Sequence, residues 1–229
     1  MKNFKIRASA LGKIMGAPRN KGDKEKGNLS QTAKTYLETW LKEQLYEKRI
    51  NFSSKYTDKG IEVEDLSIDF LSNIRNTFLA KNEKNFENDF MTGTPDIILK
   101  DKIIDIKNSW SFATFPIFEN ELKNKDYYWQ GIAYLILAER KKYEVCYLLM
   151  NTPEELIERE INSHCYKNNL ERSTEIDLHF HKLLTYDNVS SDLRVKSYTF
   201  ELDNDIEDLI NEKVLKARQY INELLKNIK

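Results

Sequence analysis

The chain has 229 residues, of which 40% are hydrophobic and 32% charged, and this size and composition predict one globular domain with its own core. Its longest uninterrupted apolar run covers residues 132–138, far short of the ~20 residues that span a membrane, so we expect no membrane segment. The two cysteines exclude an iron–sulfur cluster and a zinc site built from cysteine alone, and the N-terminus lacks the pattern of a secretory signal. We therefore expect a cytoplasmic protein.

The N-terminal segment is basic. Residues 1–27 contain eight Lys and Arg against two acidic residues, whereas the rest of the chain contains 28 against 35. Ser9 is predicted to cap a short helix that ends at Gly16, and a basic loop is predicted over residues 17–29. A basic segment on an acidic body favours phosphate binding beside a carboxylate site, although a solvated loop explains the charge equally well.

Two helices are predicted before the first strand, because apolar residues recur at helical spacing over residues 30–49 and 58–80. The buried stripe of the second helix is predicted to consist of Ile61, Leu66, Phe70, Ile74 and Phe78. After these helices, the spacing of apolar residues changes to the two-residue alternation of strands.

Short isoleucine-rich segments at 90–92, 96–99 and 103–107 predict strands connected by hairpins, since Gly93 and Pro95 interrupt them. The remaining elements are predicted as a helix at 125–140, a strand at 144–150, a helical segment at 153–184, a strand at 193–202 and a closing helix from Ile206. This order predicts an α/β fold with a central mixed β-sheet flanked by helices.

The most informative residues are two acids and a lysine, Asp96, Asp105 and Lys107. Because side chains alternate along a strand, Asp105 and Lys107 should share one face while Ile106 points into the core on the other. The two carboxylates and the backbone carbonyl of Ile106 would form an oxygen-rich seat for Mg²⁺, completed by water. Lys107 would hold a water, activated by the metal, for attack on a phosphodiester.

A purely structural role is the alternative for these acids, with Asp96 in a turn and Asp105 on an edge strand as a guard against aggregation. An acid inside the run Ile103–Ile106 is costly, however, unless a cation or another partner compensates it. The ligand interpretation is therefore favoured.

A known motif is similar to this arrangement. Pro95-Asp96 followed by Asp105-Ile106-Lys107 resembles the signature of the PD-(D/E)xK nuclease superfamily. Its surroundings resemble the lambda-exonuclease or YqaJ-type viral recombinase branch, in which a helix carrying Gly-x-x-x-Glu precedes the motif, as in Gly60–Glu64 here. Arg7-Ala8-Ser9 resembles the branch's N-terminal phosphate contact, and Tyr127–Gln130 its Tyr-x-x-Gln pattern.

The resemblance implies a restriction-endonuclease-like core in which Glu64 is the third acidic residue of the metal site and Gln130 belongs to the catalytic site. Glu62 competes with Glu64 for this role, and Gln130 could instead be a half-buried polar residue. Three residues of the basic segment are expected to contact DNA phosphates: Arg7, Ser9 and Lys13. Asp105 stands where many relatives have Glu, and the segment 153–184 has no clear counterpart.

The implied function is that of a Mg²⁺-dependent deoxyribonuclease, with Mn²⁺ able to substitute, which resects double-stranded DNA 5′ to 3′ from an end for recombination. The resemblance also implies a ring-forming homo-oligomer that works beside a single-strand-annealing protein, in a host cytoplasm if the protein is viral. We expect one nuclease domain over residues 1–229, with a basic segment at 1–29 and a helical insertion at 153–184. An endonuclease on the same core, or a non-catalytic DNA-binding module, is the alternative.

Overall fold

The computed structural model describes residues 3–50, 54–202 and 206–228, so Lys2 of the basic segment lies outside the described residues. The helices are α1 (Leu11–Met15), α2 (Lys21–Glu25), α3 (Gln31–Leu45), α4 (Lys55–Glu62), α5 (Glu64–Ile74), α6 (Lys125–Ala138), α7 (Glu154–Asn168), α8 (Thr174–Leu184) and α9 (Ile206–Ile228). The strands are β1 (Ile6–Arg7), β2 (Phe86–Glu87), β3 (Met91–Gly93), β4 (Ile97–Ile98), β5 (Lys102–Asn108), β6 (Lys142–Leu148) and β7 (Val195–Glu201).

The larger sheet has the order β4–β5–β6–β7 and is mixed. β5 pairs antiparallel with β4 and parallel with β6, and β6 pairs antiparallel with β7. A parallel pair requires a long crossover connection, and α6 lies in the connection between β5 and β6. The predicted α/β fold with a central mixed sheet flanked by helices is therefore confirmed.

A second, three-stranded sheet has the order β1–β3–β2, with β1 parallel to β3. The prediction that residues 90–92 form a hairpin with the next strand is wrong, because β3 pairs in this smaller sheet and the turn around Pro95 carries the chain across to the larger one. β1 and β2 were not predicted, since two-residue strands are too short to show a period.

The two faces of β5 pack against different helices. Ile103 lies in a core with Ile132 and Leu135 of α6, whereas Ile104 lies on the opposite face in a core with Ile68 and Leu71 of α5. Alternation along β5 therefore turns Asp105 and Lys107 toward α6 and Ile106 toward α5.

The predicted helix at 58–80 is divided in two and ends at Ile74, and its predicted stripe is only partly correct. Val63 has φ −103° and ψ 9°, which interrupts the helix between α4 and α5. The core side chains of α5 are Ile68 and Leu71, while Ile61 is 69% and Leu66 61% exposed. Phe70 packs against this core as predicted, so the stripe is wrong at Ile61, Leu66 and Phe78, which are exposed.

The predicted capping role of Ser9 is also wrong. β1 extends to Arg7, and the chain turns directly into a 3₁₀ turn over Ala8–Ala10, so Ser9 lies inside that turn and caps no helix. The predicted loop at 17–29 contains the short helix α2, which begins after a side-chain cap by Asn20. The inferred phosphate site at a capped helix start therefore loses its basis.

The segment 153–184 is helical as predicted, since it contains α7 and α8. Within residues 3–50, 54–202 and 206–228, no helix has both the length and the apolarity needed to cross a membrane.

Candidate active site

A cleft of about 800 Å³ lies at the carboxyl end of β5, next to α1, α4 and the start of α6. Its walls contain seven of the predicted site residues: Ser9, Lys13, Glu64, Asp96, Ile106, Lys107 and Gln130. A second cavity, of about 840 Å³, lies between the end of α1 and β7 and contains none of them. The predicted site residues in its wall, and not its volume, therefore identify the cleft beside β5 as the candidate site.

Asp105 and Lys107 form a buried ion pair at this cleft. Asp105 is fully buried, and its Oδ2 atom lies 2.5 Å from Lys107 Nζ. The Lys107 ammonium is thus the charge partner of this carboxylate, and the Tyr143 hydroxyl lies beside it as well. The Lys107 ammonium also lies 4.7 Å from the centre of the Tyr127 ring, which contributes a cation–π contact.

Gln130 connects the ion pair to α6. Its Nε2 donates to Asp105 Oδ1 at 3.3 Å, and its Oε1 accepts from Lys107 Nζ at 3.3 Å. Nε2 also donates to the Tyr134 hydroxyl at 3.2 Å, which in turn donates to the carbonyl of Thr94 at 3.0 Å. One helix therefore holds both partners of the ion pair and the segment leading to Asp96.

Asp96 lies in the bend before β4 and is bound to the backbone of β5. Its Oδ2 accepts the N–H of Ile106 at 2.8 Å, which places it beside Asp105. The bend is braced by Asn82, whose N–H donates to the Asp96 carbonyl at 2.7 Å and whose side chain donates to the Pro95 carbonyl at 2.9 Å.

The electrostatics follow from this proximity. Burial and the neighbouring Asp105 carboxylate raise the pKa of Asp96 to about 7, with a smaller contribution from Glu64. Burial alone would lower the pKa of Lys107, but the carboxylates of Asp105 and Asp96 outweigh it and raise that pKa above its usual value. Two buried carboxylates thus repel each other while one ammonium stays charged between them.

Glu64 is the first residue of α5 and lies at the edge of the cleft. Its Oε2 lies 2.9 Å from Lys81 Nζ, and the same ammonium lies 3.0 Å from Asp65 Oδ1. Glu64 is therefore held in an ion pair with a lysine that the sequence analysis did not identify.

The oxygen donors fit a hard divalent cation. Asp96 and Asp105 are adjacent, and Mg²⁺ binds through one or two carboxylates with water in its other positions. Among the described parts of the chain, no group of three or more Asp, Glu, His or Cys side chains stands ready to hold a metal ion. The fit thus rests on the pair of carboxylates of Asp96 and Asp105.

The three residues predicted to contact DNA phosphates are placed differently. Ser9 lies in the cleft wall, and Lys13 lies there in an ion pair with Asp126 at 2.7 Å. Arg7 is exposed and lies near the Tyr36 hydroxyl, outside the cleft wall.

Sequence analysis missed three residues at the site: Lys81, Asn82 and Asp126. Lys81 and Asn82 follow α5 in a stretch without periodicity, so no pattern distinguished them from a solvated loop. Asp126 had a usable signal, because acids in the first turn of a helix are stabilised by the helix dipole and it is adjacent to the Tyr-x-x-Gln pattern.

The overall structure is similar to that of a phage-related exonuclease from Haemophilus somnus 129PT, with 29% sequence identity and a TM-score of 0.81 over 100% of this chain and 98% of that chain. It is also similar to an alkaline exonuclease from Laribacter hongkongensis, with 12% identity and a TM-score of 0.63 over 98% of this chain and 91% of that chain. The same exonuclease in complex with dAMP gives 14% identity and the same TM-score of 0.63. At these lower identities the similarity concerns the fold alone. No protein-family model and no curated protein sequence matches the chain.

Proposed function

We propose that the chain is a PD-(D/E)xK nuclease of the lambda-exonuclease-like branch, and that it acts as a Mg²⁺-dependent exonuclease that resects double-stranded DNA 5′ to 3′ from an end. Its similarity to a phage-related exonuclease supports this proposal. The observation that carries the proposal is the arrangement at the end of β5, where Asp96 and Lys107 line the cleft and the buried Asp105 lies directly behind them, in contact with the Lys107 ammonium. Mn²⁺ is expected to substitute for Mg²⁺, because both prefer oxygen ligands.

The metal would be held by Asp96, Asp105 and the carbonyl of Ile106, with Glu64 as a further ligand. When bound, it would supply Lewis acidity to the scissile phosphate and to the attacking water. The chain's own contribution is to place two carboxylates side by side and to hold one of them rigidly through Gln130.

Lys107 acts as a charge partner and not as a base. Since its pKa lies above the usual value, its amine is protonated at neutral pH and can only donate. Its position beside Asp105 lets the ammonium orient water and stabilise negative charge that develops on the phosphate. Gln130 and the Tyr127 ring limit the positions of that ammonium, which keeps it aligned without further reorganisation.

From the resemblance we also propose that the substrate is a DNA end, that the protein forms ring-shaped homo-oligomers and that it works beside a single-strand-annealing protein. Ring formation is measurable by light scattering, in which a single monomeric species would contradict it.

The test of function uses purified protein with linear and covalently closed duplexes, each linear end labelled in turn. We expect Mg²⁺ or Mn²⁺ to support degradation of the linear duplex with release of the 5′-terminal label first, and EDTA to abolish it. Ca²⁺ should bind without supporting cleavage, because its looser shell positions water poorly. Equal cleavage of the closed duplex would contradict the exonuclease proposal and favour an endonuclease.

A further inference from the structure

The ion pair between Lys81 and Glu64 has no role in the chemistry described so far. Lys81 follows α5, and its ammonium lies 2.9 Å from Glu64 and 3.0 Å from Asp65. The next residue, Asn82, makes two hydrogen bonds to the Pro95–Asp96 bend. One short segment thus contacts both the helix start that carries Glu64 and the bend that carries Asp96.

All three acidic residues of the proposed metal site are engaged by groups of the protein. Asp105 is paired with Lys107, Asp96 accepts the Ile106 N–H, and Glu64 is paired with Lys81. Glu64 is nevertheless near enough for its charge to act on Asp96. A metal ion that recruits Glu64 must therefore compete with an ammonium for the same carboxylate.

The two lysines differ in how easily they can release their acids. The Lys107 side chain is largely buried, whereas the Lys81 side chain is 39% exposed and can move into solvent. Asp65 is 82% exposed and remains as an anionic partner for Lys81 after Glu64 departs. Breaking the Lys81–Glu64 ion pair therefore costs little free energy, because an exposed ion pair contributes only weakly to stability.

We propose that Lys81 is a positioning residue that holds Glu64 out of the metal site until a divalent cation binds, so that metal loading exchanges this ion pair for ligation. The inference rests on the proposed metal-dependent function and deepens it. Lys81 thereby sets the metal affinity of the site: it neutralises Glu64 in the metal-free protein and lowers affinity by competing with the cation.

The experiment is calorimetric titration of Mg²⁺ and Mn²⁺ into the DNA-free protein. Lys81→Met should bind both ions roughly fivefold more tightly than the wild type, the upper range for losing an exposed competing ion pair. Lys81→Arg keeps a cation beside Glu64 and should stay near the wild-type affinity. The matched control is Lys84→Met, which removes the same charge from the same segment. It leaves the pair with Glu64 intact, because the Lys84 ammonium lies over the Phe86 ring instead. The affinity of Lys84→Met for Mg²⁺ and Mn²⁺ should differ from that of the wild type by less than about twofold.

The outcomes separate this inference from the proposed function. If Lys81→Met and Lys84→Met change metal affinity equally, or Lys81→Met changes nothing, the positioning role is wrong, while metal-dependent cleavage by the wild type would still support the function. If the wild type binds neither ion, both are wrong. Circular dichroism of each variant verifies that the fold is retained, and any variant that fails this check is replaced by Lys81→Gln.

Discussion

Asp105 and Lys107 lie in contact, yet they are expected to serve different steps. Under the proposed function, Asp105 would offer oxygen to a cation, whereas the Lys107 ammonium would act on water and phosphate, since it can only donate. Geometry alone does not separate these roles, but metal binding and turnover can be measured independently.

We predict that Asp105→Asn loses both metal binding and cleavage, because an amide is a poor ligand for the metal. The amide can still occupy the same space as the carboxylate beside Gln130. Lys107→Met should bind metal but lose turnover by roughly 10²- to 10³-fold, the usual cost of removing one oriented donor to developing charge. Calorimetry and initial rates on end-labelled duplex measure the two effects. Metal binding by Lys107→Met that is no better than by Asp105→Asn would remove its assigned role.

A second buried acid, Glu144 of β6, stabilises the fold far from the cleft. It accepts hydrogen bonds from Arg75 at 3.1 Å and from Lys102 at 2.8 Å. Burial alone would raise the pKa of Glu144, but these donors outweigh it and lower the pKa from 4.5 to about 2. The ionised form of Glu144 therefore stabilises the folded state.

We predict a stability loss in acid that depends on Glu144. Because its folded pKa is depressed, its contribution is complete above pH 4.5 and is lost as the pH falls toward 2. The shift corresponds to about 3 kcal/mol at neutral pH. Urea unfolding at pH 7 and pH 3 should show Glu144→Gln destabilised by about that amount at pH 7 and by much less at pH 3. An equal loss at both pH values would mean that packing and not charge is responsible.

At the scale of elements, α6 decides where the site forms, since it lies on the sheet face that carries Asp105. A Cβ atom placed on Gly131 would lie 2.3 Å from the Tyr143 ring and 2.7 Å from the Phe200 ring. Glycine at this position therefore permits a close approach of helix and sheet, which brings Gln130 to the ion pair.

We predict that Gly131→Ala destabilises the protein by about 1–3 kcal/mol, because the added methyl must displace buried rings. Gly60→Ala is the control, since a Cβ there meets nothing within 4 Å and alanine favours the helix by roughly 0.5–1 kcal/mol. Chemical denaturation measures both variants. Destabilisation of the two variants to the same extent would show that the close approach at Gly131 is not required.

Much of this arrangement was predictable from residues with a strong local signal. β5 combines isoleucines with an alternating acid and lysine, and α6 has a long apolar pattern, so these two central elements were predicted correctly. The interruption at Val63 was not predictable, because a single helical period fits both sides of it. The Lys81–Glu64 pair joins residues 17 positions apart through a turn that only the folded chain creates.

At the scale of the whole molecule, the basic segment is less free to bind DNA than its composition indicates. Lys13 already has an anionic partner in Asp126, and both side chains remain about half exposed at the cleft. A phosphate that approaches Lys13 must therefore compete with this carboxylate.

We predict that Asp126→Asn tightens DNA binding in EDTA and steepens its salt dependence, because Lys13 is released and a negative charge is removed. Arg7→Ala and Lys13→Ala should weaken binding, with a loss of roughly one unit of log–log slope per lost phosphate contact. Fluorescence anisotropy at several salt concentrations measures these slopes. An unchanged slope in all three variants would mean that this end of the chain is a solvated surface.

The small sheet links segments that are far apart along the chain. β1 pairs with β3 some 85 residues later, and Arg218 of α9 donates to the Phe4 carbonyl at 2.9 Å and also to the Asp89 carbonyl. During synthesis on the ribosome, these hydrogen bonds from Arg218 cannot form until the region around Arg218 has emerged, long after β5 and α6 have been made. Such distant pairing is slow to form, so we expect the cleft wall that carries Ser9 to be completed last. A nascent chain would thus contain β5 well before the cleft beside it is complete.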